Sequence, residues 1–335
     1  MKLLRLAPEN TKFGFMRFRR VSYPFSAVMS IISVALFLTL GMNFGIDFSG
    51  GTLMELRAKS GHAEIADLRA QMRQLGIGDV EVQGFGTPSD VLLRFGVQHG
   101  GAKAQETTVT HVRKMLEAKY DFRRVDVVGP RVSGELVQSG TLGVVISILA
   151  VLAYLWFRFE WQFAVGAIIA TMHDLLLTVG FFSLTRLEFN TTSIAAILTI
   201  VGYSLNETVV VLDRIREMMR KYRRMPTDQL IDMSVNAVLP RTIMTATTVL
   251  LALLSLVTFG GEVIRSFSIA MIWGIAVATY SSIFICSPML IYLGLRNETA
   301  EAPQAPAAKP ATKPTTKPAK TQAKSVTGTS ARNRA

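Results

Sequence analysis

Six apolar stretches constrain this chain more than any other feature. They run over 25–42, 141–157, 163–184, 191–212, 242–259 and 267–295. A helix needs about 20 mostly apolar residues to cross a bilayer, and each stretch meets or approaches that length. The hydrocarbon offers no water to the backbone, so a spanning segment must close its own hydrogen bonds. The reading is therefore a polytopic α-helical membrane protein with six transmembrane helices. Composition agrees: half of the 335 residues are apolar and only 18% are charged, less charge than soluble domains of this length carry. The first stretch runs on into the glycine-containing segment 45–51 with no small-residue cleavage pattern. It reads as a retained helix, not a removed signal peptide.

Lys and Arg set orientation. The N-terminal segment holds Lys2, Arg5, Lys12, Arg17, Arg19 and Arg20; the stretch after the fourth span holds Arg214, Arg216, Arg220, Lys221, Arg223 and Arg224. The C-terminal tail adds Arg296, Lys309, Lys313, Lys317, Lys320 and Lys324. Six spans put all three on one side, and the opposite short loops carry only Arg186 and Arg265. Both termini are then cytoplasmic. The net charge of +12 is mostly a topology signal, and with no basic and aromatic groove it excludes nucleic acid as a partner. The chain divides into a cytoplasmic segment 1–24, a first helix 25–42 and a soluble segment 43–138. Helices two to six follow over 141–295, with a basic loop at 213–240, and then a tail 296–335. The tail repeats Ala, Pro, Lys and Thr, which cannot bury a core, so disorder is expected there.

The soluble segment alternates like strands over 52–57, 79–85, 90–97 and 122–128, with helical spacing over 63–75 and 104–120. The order β-α-β-β-α-β is a ferredoxin-like α+β pattern, common among unrelated functions. It carries no phosphate loop, nucleophile motif or cysteine cluster, and no cofactor is implied. His62, His99 and His111 are scattered and read as surface residues. The single cysteine, Cys286, lies in an apolar run and reads as a small buried residue.

Ionisable groups inside a span are costly and point to function. The third span holds His173-Asp174, with Thr171 and Thr178 on the face of Asp174. The fourth holds Asn206-Glu207, with Thr199 and Tyr203 on the same side. The fifth opens with Pro240-Arg241, followed by Thr245 and Thr248. Three polar stripes on consecutive helices suggest one hydrated seam. A carboxylate in low dielectric resists ionisation, and an approaching arginine reverses that. A carboxylate–arginine pair that makes and breaks is thus a proton switch, which makes Glu207, Arg241, Asp174 and Asn206 the candidate relay. The competing reading is a static interhelical hydrogen-bond network. His173 leans to packing, and Arg214 and Arg216 to interface anchors.

Three motifs carry a family resemblance. Phe44-Gly45-Ile46-Asp47-Phe48-Ser49-Gly50-Gly51-Thr52 follows the first span. The run 127–136, with Gly129-Pro130 at its centre, precedes the second. The run 201–217, containing Asn206-Glu207, covers the fourth span and its exit. With Phe157-Arg158-Phe159-Glu160-Trp161 and Arg241-Thr242, they resemble the SecF members of the SecD/SecF family, in the resistance-nodulation-division superfamily. The resemblance covers roughly 13–295. It implies a bacterial inner-membrane subunit that pairs with SecD and uses the proton motive force. That complex promotes late export of unfolded preprotein through the SecYEG channel, after SecA-driven insertion. It implies a transport role and no enzymatic turnover. It also puts the family's intramembrane acid at Glu207, where Asp is usual, and the family's arginine at Arg241. Asp47, Gly50 and Gly51 read as a structural turn out of the first helix, and Gly129-Pro130 as shaping the start of the second. A proton-coupled exporter of small molecules or lipids from the same superfamily is the alternative.

Overall fold

The computed structural model describes residues 11–295, apart from 79, 85 and 261. Six helices are long and apolar enough to cross a membrane. A 3-10 turn at Phe15–Phe18 leads into α1 (Arg19–Leu40). The others are α5 (Pro130–Arg158), α6 (Trp161–Thr185), α7 (Thr191–Lys221), α8 (Thr227–Phe259) and α9 (Glu262–Ser281). The last continues through a π turn at Ser282–Cys286 into α10 (Ser287–Tyr292). The segment 213–240, expected as a basic loop, is helical except for 222–226. Charge marks where a span leaves the hydrocarbon, not where its hydrogen bonding stops. The last turn of α7 carries Arg220 and Lys221, cations that suit a helix C-terminus. The tail 296–335, expected to be disordered, lies outside the described residues, as do Lys2 and Arg5.

Helices α6, α7 and α9 supply most of the buried residues of the bundle, whereas α1, α5 and α8 turn Leu38, Leu142, Leu149 and Leu251 outward. Lipid tails are as apolar as leucine, so helices associate through close packing and polar contacts. Small residues allow that approach. Ser22, Ser26 and Ser33 are the buried residues of α1. A side chain at Gly180 of α6 would overlap Ser33, and one at Gly274 of α9 would overlap Ile200 of α7.

The soluble segment contains β2 (Gly51–Ala58), α3 (Ile65–Gln74), β3 (Val80–Gly84), β4 (Asp90–Phe95), α4 (Gly101–Leu116) and β5 (Tyr120–Val128). Its strands form one sheet in the order β3-β4-β2-β5, antiparallel throughout. This is the ferredoxin-like arrangement expected from sequence. Period-two alternation sends Met54 and Leu56 of β2 to the side of Leu68, Met72, Val112 and Leu116 on the two helices. The other face carries ion pairs, Arg124–Glu55 and Arg94–Glu81. It looks across a cleft of about 460 Å³ at Arg186, Glu188 and Thr191 between α6 and α7.

Two features were not expected. Strand β1 (Asn43–Phe44) pairs in parallel with β6 (Glu188–Phe189), and α2 (Ile46–Ser49) sits between β1 and β2. Elements of two to four residues are too short for periodicity to reveal.

One buried carboxylate locks the sheet. Asp90 takes a two-pronged bond from Arg57 at 2.6 and 2.8 Å and a third from Thr87 at 2.6 Å. The guanidinium holds Asp90 well below the usual carboxylate range. Its stabilisation is therefore complete above the unfolded value, about 3.9, and is lost as pH falls through the lower folded value. Arg57 is partly exposed, so Asp90→Asn should cost about 1–2 kcal/mol at pH 7. Amide exchange in β2 and β4 of the intact chain should then be 5- to 30-fold faster than in the parent. That ratio should close towards one as the pH drops below about 4; a ratio independent of pH would count against the charge.

Candidate functional site

The ionisable residues within the spans form two neighbouring groups of opposite character. The first centres on Asp174 of α6, which is 1% exposed. Its Oδ2 accepts hydrogen bonds from Ser204 Oγ of α7 at 2.5 Å and from Ser281 Oγ of α9 at 2.8 Å. Its Oδ1 lies 3.2 Å from His173 Nδ1. One carboxylate thus holds the three inner helices together. Thr171 and Thr178, expected to line a seam with Asp174, instead donate to carbonyls of their own helix.

Ser281 is the last residue of α9 before the π turn, and the cause of that turn is local. Pro288 has no N–H, so the carbonyl of Phe284 lacks its helical donor. Wide turns of this kind occur as single insertions in helices, often at functional sites. Helix α1 fills the gap: Ser22 Oγ donates to Phe284 O at 3.1 Å and Tyr23 OH to Ile285 O at 2.9 Å. Cys286 is buried close to Gly166 of α6.

The second group centres on Glu207, three residues beyond Ser204 on α7 and 3% exposed. Thr242 of α8 is its hydrogen-bonding neighbour, and Arg241 precedes Thr242 on the same helix. Its Oε2 is buried with no hydrogen-bond partner among the described residues. Arg241, Asn206, Thr199 and Thr248 are exposed. Within the expected seam, Asp174 is enclosed with both oxygens bonded, although His173 Nε2 beside it is buried without a hydrogen-bond partner, whereas Glu207 has one bare oxygen and adjoins exposed polar residues. Asn206 does not join Asp174 or Glu207; it is one of those exposed residues.

At the helix ends away from the soluble domain, Arg158 donates to both carboxylate oxygens of Asp213 at 3.0 Å. Arg216 approaches Glu160 at 3.8 Å. Residues 158 and 160 thus pair with the C-terminal part of α7. Arg216, expected only as an anchor, has a partner, and Arg214 pairs with Glu217.

At the opposite end, Asp47 Oδ2 accepts from Thr191 N at 2.9 Å and Thr191 Oγ1 at 2.8 Å. Gly50 and Gly51 have φ of 69° and 126°, the left-handed side that favours glycine, and a side chain at Gly51 would meet the Phe95 carbonyl. Pro130 is at the first turn of α5, where its missing N–H costs nothing. Nothing in the structure demands glycine at Gly129, whose φ is −73°.

Ser204 and Thr242 entered the sequence reasoning only as letters of the motifs, not as partners of a carboxylate, and Ser281 escaped it. A signal was present for Ser281, since Thr279, Ser281, Ser282 and Ser287 interrupt an otherwise apolar span. Among the described residues no group of His, Cys, Asp and Glu could hold a metal ion.

Known proteins share the sequence and the fold of this chain. Residues 108–296 match the family model for the C-terminal part of the protein export membrane proteins SecD/SecF, and residues 35–61 match the SecD/SecF GG motif. A protein translocase subunit SecF from Rickettsia rickettsii is 45% identical over 86% of this chain and 94% of its own length. A protein translocase subunit SecDF from Brucella abortus is 43% identical over 90% of this chain. The crystal structure of SecDF from Thermus thermophilus, a translocon-associated membrane protein, superposes with a TM-score of 0.77 at 32% identity over 87% of this chain. The chain spans 40% of the length of each of these two SecDF proteins.

Asp174→Ala strands two hydroxyls and His173. Thermal unfolding in detergent should report a loss of about 1–3 kcal/mol. Glu207→Gln, which breaks no such network, should cost less than about 1 kcal/mol. Equal losses would mean that the two carboxylates do not differ in kind.

Proposed function

The chain belongs to the SecD/SecF family of protein-export membrane proteins, and on that premise we propose that it is the SecF-type subunit of the Sec preprotein translocase. It pairs with a SecD chain in the bacterial inner membrane, both termini cytoplasmic. Together they use the proton motive force to promote late, periplasmic-side steps of export through SecYEG, after SecA-driven insertion. The partner reading is supported by relatives that are named SecDF. It is also supported by the uncovered face that carries Asn206, Arg241 and Thr248. The orientation rests on the Lys and Arg distribution.

The observation that carries the proton reading is the bare, buried Oε2 of Glu207 beside Arg241. A buried carboxylate with an empty acceptor resists ionisation until a cation approaches. Glu207 lies about 9 Å along the α7 axis from the Asp213 level, near enough to an aqueous mouth for proton exchange. One pK unit of coupling is about 1.4 kcal/mol, and one charge crossing 100 mV releases about 2.3 kcal/mol. The gradient can therefore drive the pair between states. Glu207 is the proton carrier, Arg241 its switch, Asn206 a contact for the partner, and Asp174 the positioning group that holds α7 beside α6 and α9.

Export of a reporter protein into membrane vesicles, with and without a gradient, tests this. Glu207→Gln should lower gradient-dependent export at least about tenfold, the counterpart of one pK unit, while Glu207→Asp preserves it. Arg241→Ala should fail and Arg241→Lys should work in part. Full gradient-dependent export by Glu207→Gln, stably expressed and bound to its partner, would show that Glu207 carries no proton.

A further inference from the structure

Asp47 does more than turn the chain out of α1. Both its bonds go to Thr191, the first residue of α7, at the positive end of that helix's dipole. The α7 terminus also has a capping box of its own, which leaves the Thr191 amide to Asp47. Asn190 Oδ1 accepts from Ser193 N at 3.1 Å, and Ser193 Oγ accepts from Asn190 N at 3.3 Å. Asp47 thus completes the terminus from outside the helix, and the tie it makes to the first residue of α7 has a further use.

The surroundings of Asp47 supply that use. On its N-terminal side, β1 pairs with β6 and Gly45 N donates to Phe189 O at 2.8 Å. Phe48 stacks on Phe189 at 5.6 Å, and Phe182 of α6 meets Phe189 edge-on at 5.3 Å. On its C-terminal side, two residues after α2, the chain becomes β2, which lies between β4 and β5. The intervening glycines have no slack. A side chain at Gly50 would meet Val97 and approach Ser133 of α5, and one at Gly51 would meet the Phe95 carbonyl. Arg94 of β4 braces the same segment by donating to Phe44 O and Ser49 Oγ. The link from the membrane to the soluble domain is thus a stiff joint. Helix α7 runs unbroken from Thr191 to Lys221 and carries Glu207 about 24 Å from Thr191.

We infer that Asp47 is a positioning residue that transmits movement of α7 into the soluble domain through the joint 43–51. The inference rests on the proton reading of Glu207. A shift of α7 along its axis carries the Thr191 amide, the Asp47 carboxylate and strand β2 with it. Loss of the carboxylate removes the direct bonds to α7 and leaves the joint held only through β1–β6 and Phe189, with Glu207, Arg241 and the Asn190–Ser193 capping box intact.

The test uses the full chain with its partner in proteoliposomes. Spin labels replace two exposed residues, His111 on α4 and Leu184 on α6; the native Cys286 is buried. Asp47→Ala should at least double the width of the 111–184 distance distribution. It should also lower gradient-dependent export at least tenfold, with gradient-independent export unchanged. Thr191→Val removes one of the two bonds and should fall between Asp47→Ala and the parent. Asp47→Asn keeps an acceptor and should restore part of the loss. Asn190→Ala breaks the cap but not the joint and should stay within twofold of the parent. Glu207→Gln should lose export without broadening the distribution, which separates a failed proton site from a failed joint. Parent-like width in both Asp47→Ala and Thr191→Val would overturn the inference. So would broadening with full export, or an equal loss in Asn190→Ala.

Discussion

A carboxylate inside a bilayer must be satisfied by its own protein, because lipid offers no donor. Asp174 meets that constraint by collecting hydroxyls from α7 and α9, and the rest of the bundle is arranged around the result. Bringing those hydroxyls within 2.8 Å needs α6, α7 and α9 in close contact, hence glycine at Gly274 against Ile200, while Gly180 lets α1 approach α6 at Ser33. The π turn that follows Ser281 leaves carbonyls unpaired, and α1 supplies Ser22 and Tyr23 to them. With both carboxylate oxygens bonded across three helices, Asp174 gives the bundle a fixed centre.

Glu207 gains its meaning from that contrast. It stands one turn from Ser204 on the same helix, equally buried, but with one oxygen unpaired. Its neighbours Thr242 and Arg241 belong to α8, a peripheral helix with a largely exposed face. A fixed centre and a loose neighbour on one rigid helix are what a moving proton site requires. The joint at Asp47 adds an outer contact to that helix, so a single rod connects the proposed proton site with the soluble domain.

Much of this was legible in the sequence, for identifiable reasons. Transmembrane helices announce themselves because length and apolarity are both demanded by the bilayer. The ferredoxin-like order was readable because its strands alternate and its helices repeat at 3.6 residues. Helix ends were misjudged at 213–240, where polarity was taken for a loop although backbone hydrogen bonding continues past the hydrocarbon. The candidate site was only half legible. Asp174, Glu207 and Arg241 stood out as charges in apolar surroundings. Their partners did not, since Ser204 and Ser281 lie 30 and 107 residues from Asp174 and serine is unremarked in a span. The three stripes marked faces but not bonds: threonines in helices satisfy themselves on their own backbone, as Thr171 and Thr178 do. Asp47 was visible as part of a motif, but its contact with Thr191, 144 residues away, is a product of the fold.

The central claim is that Glu207, and not Asp174, is the carboxyl that gains and loses a proton. Infrared difference spectroscopy of the partner-bound complex, stepped between acid and alkaline buffer, reads that directly through the stretch of a protonated carboxyl. The band should vanish in Glu207→Gln and persist unchanged in Asp174→Asn. A band that survives Glu207→Gln and disappears in Asp174→Asn would contradict the claim and make the Asp174 hub the proton site.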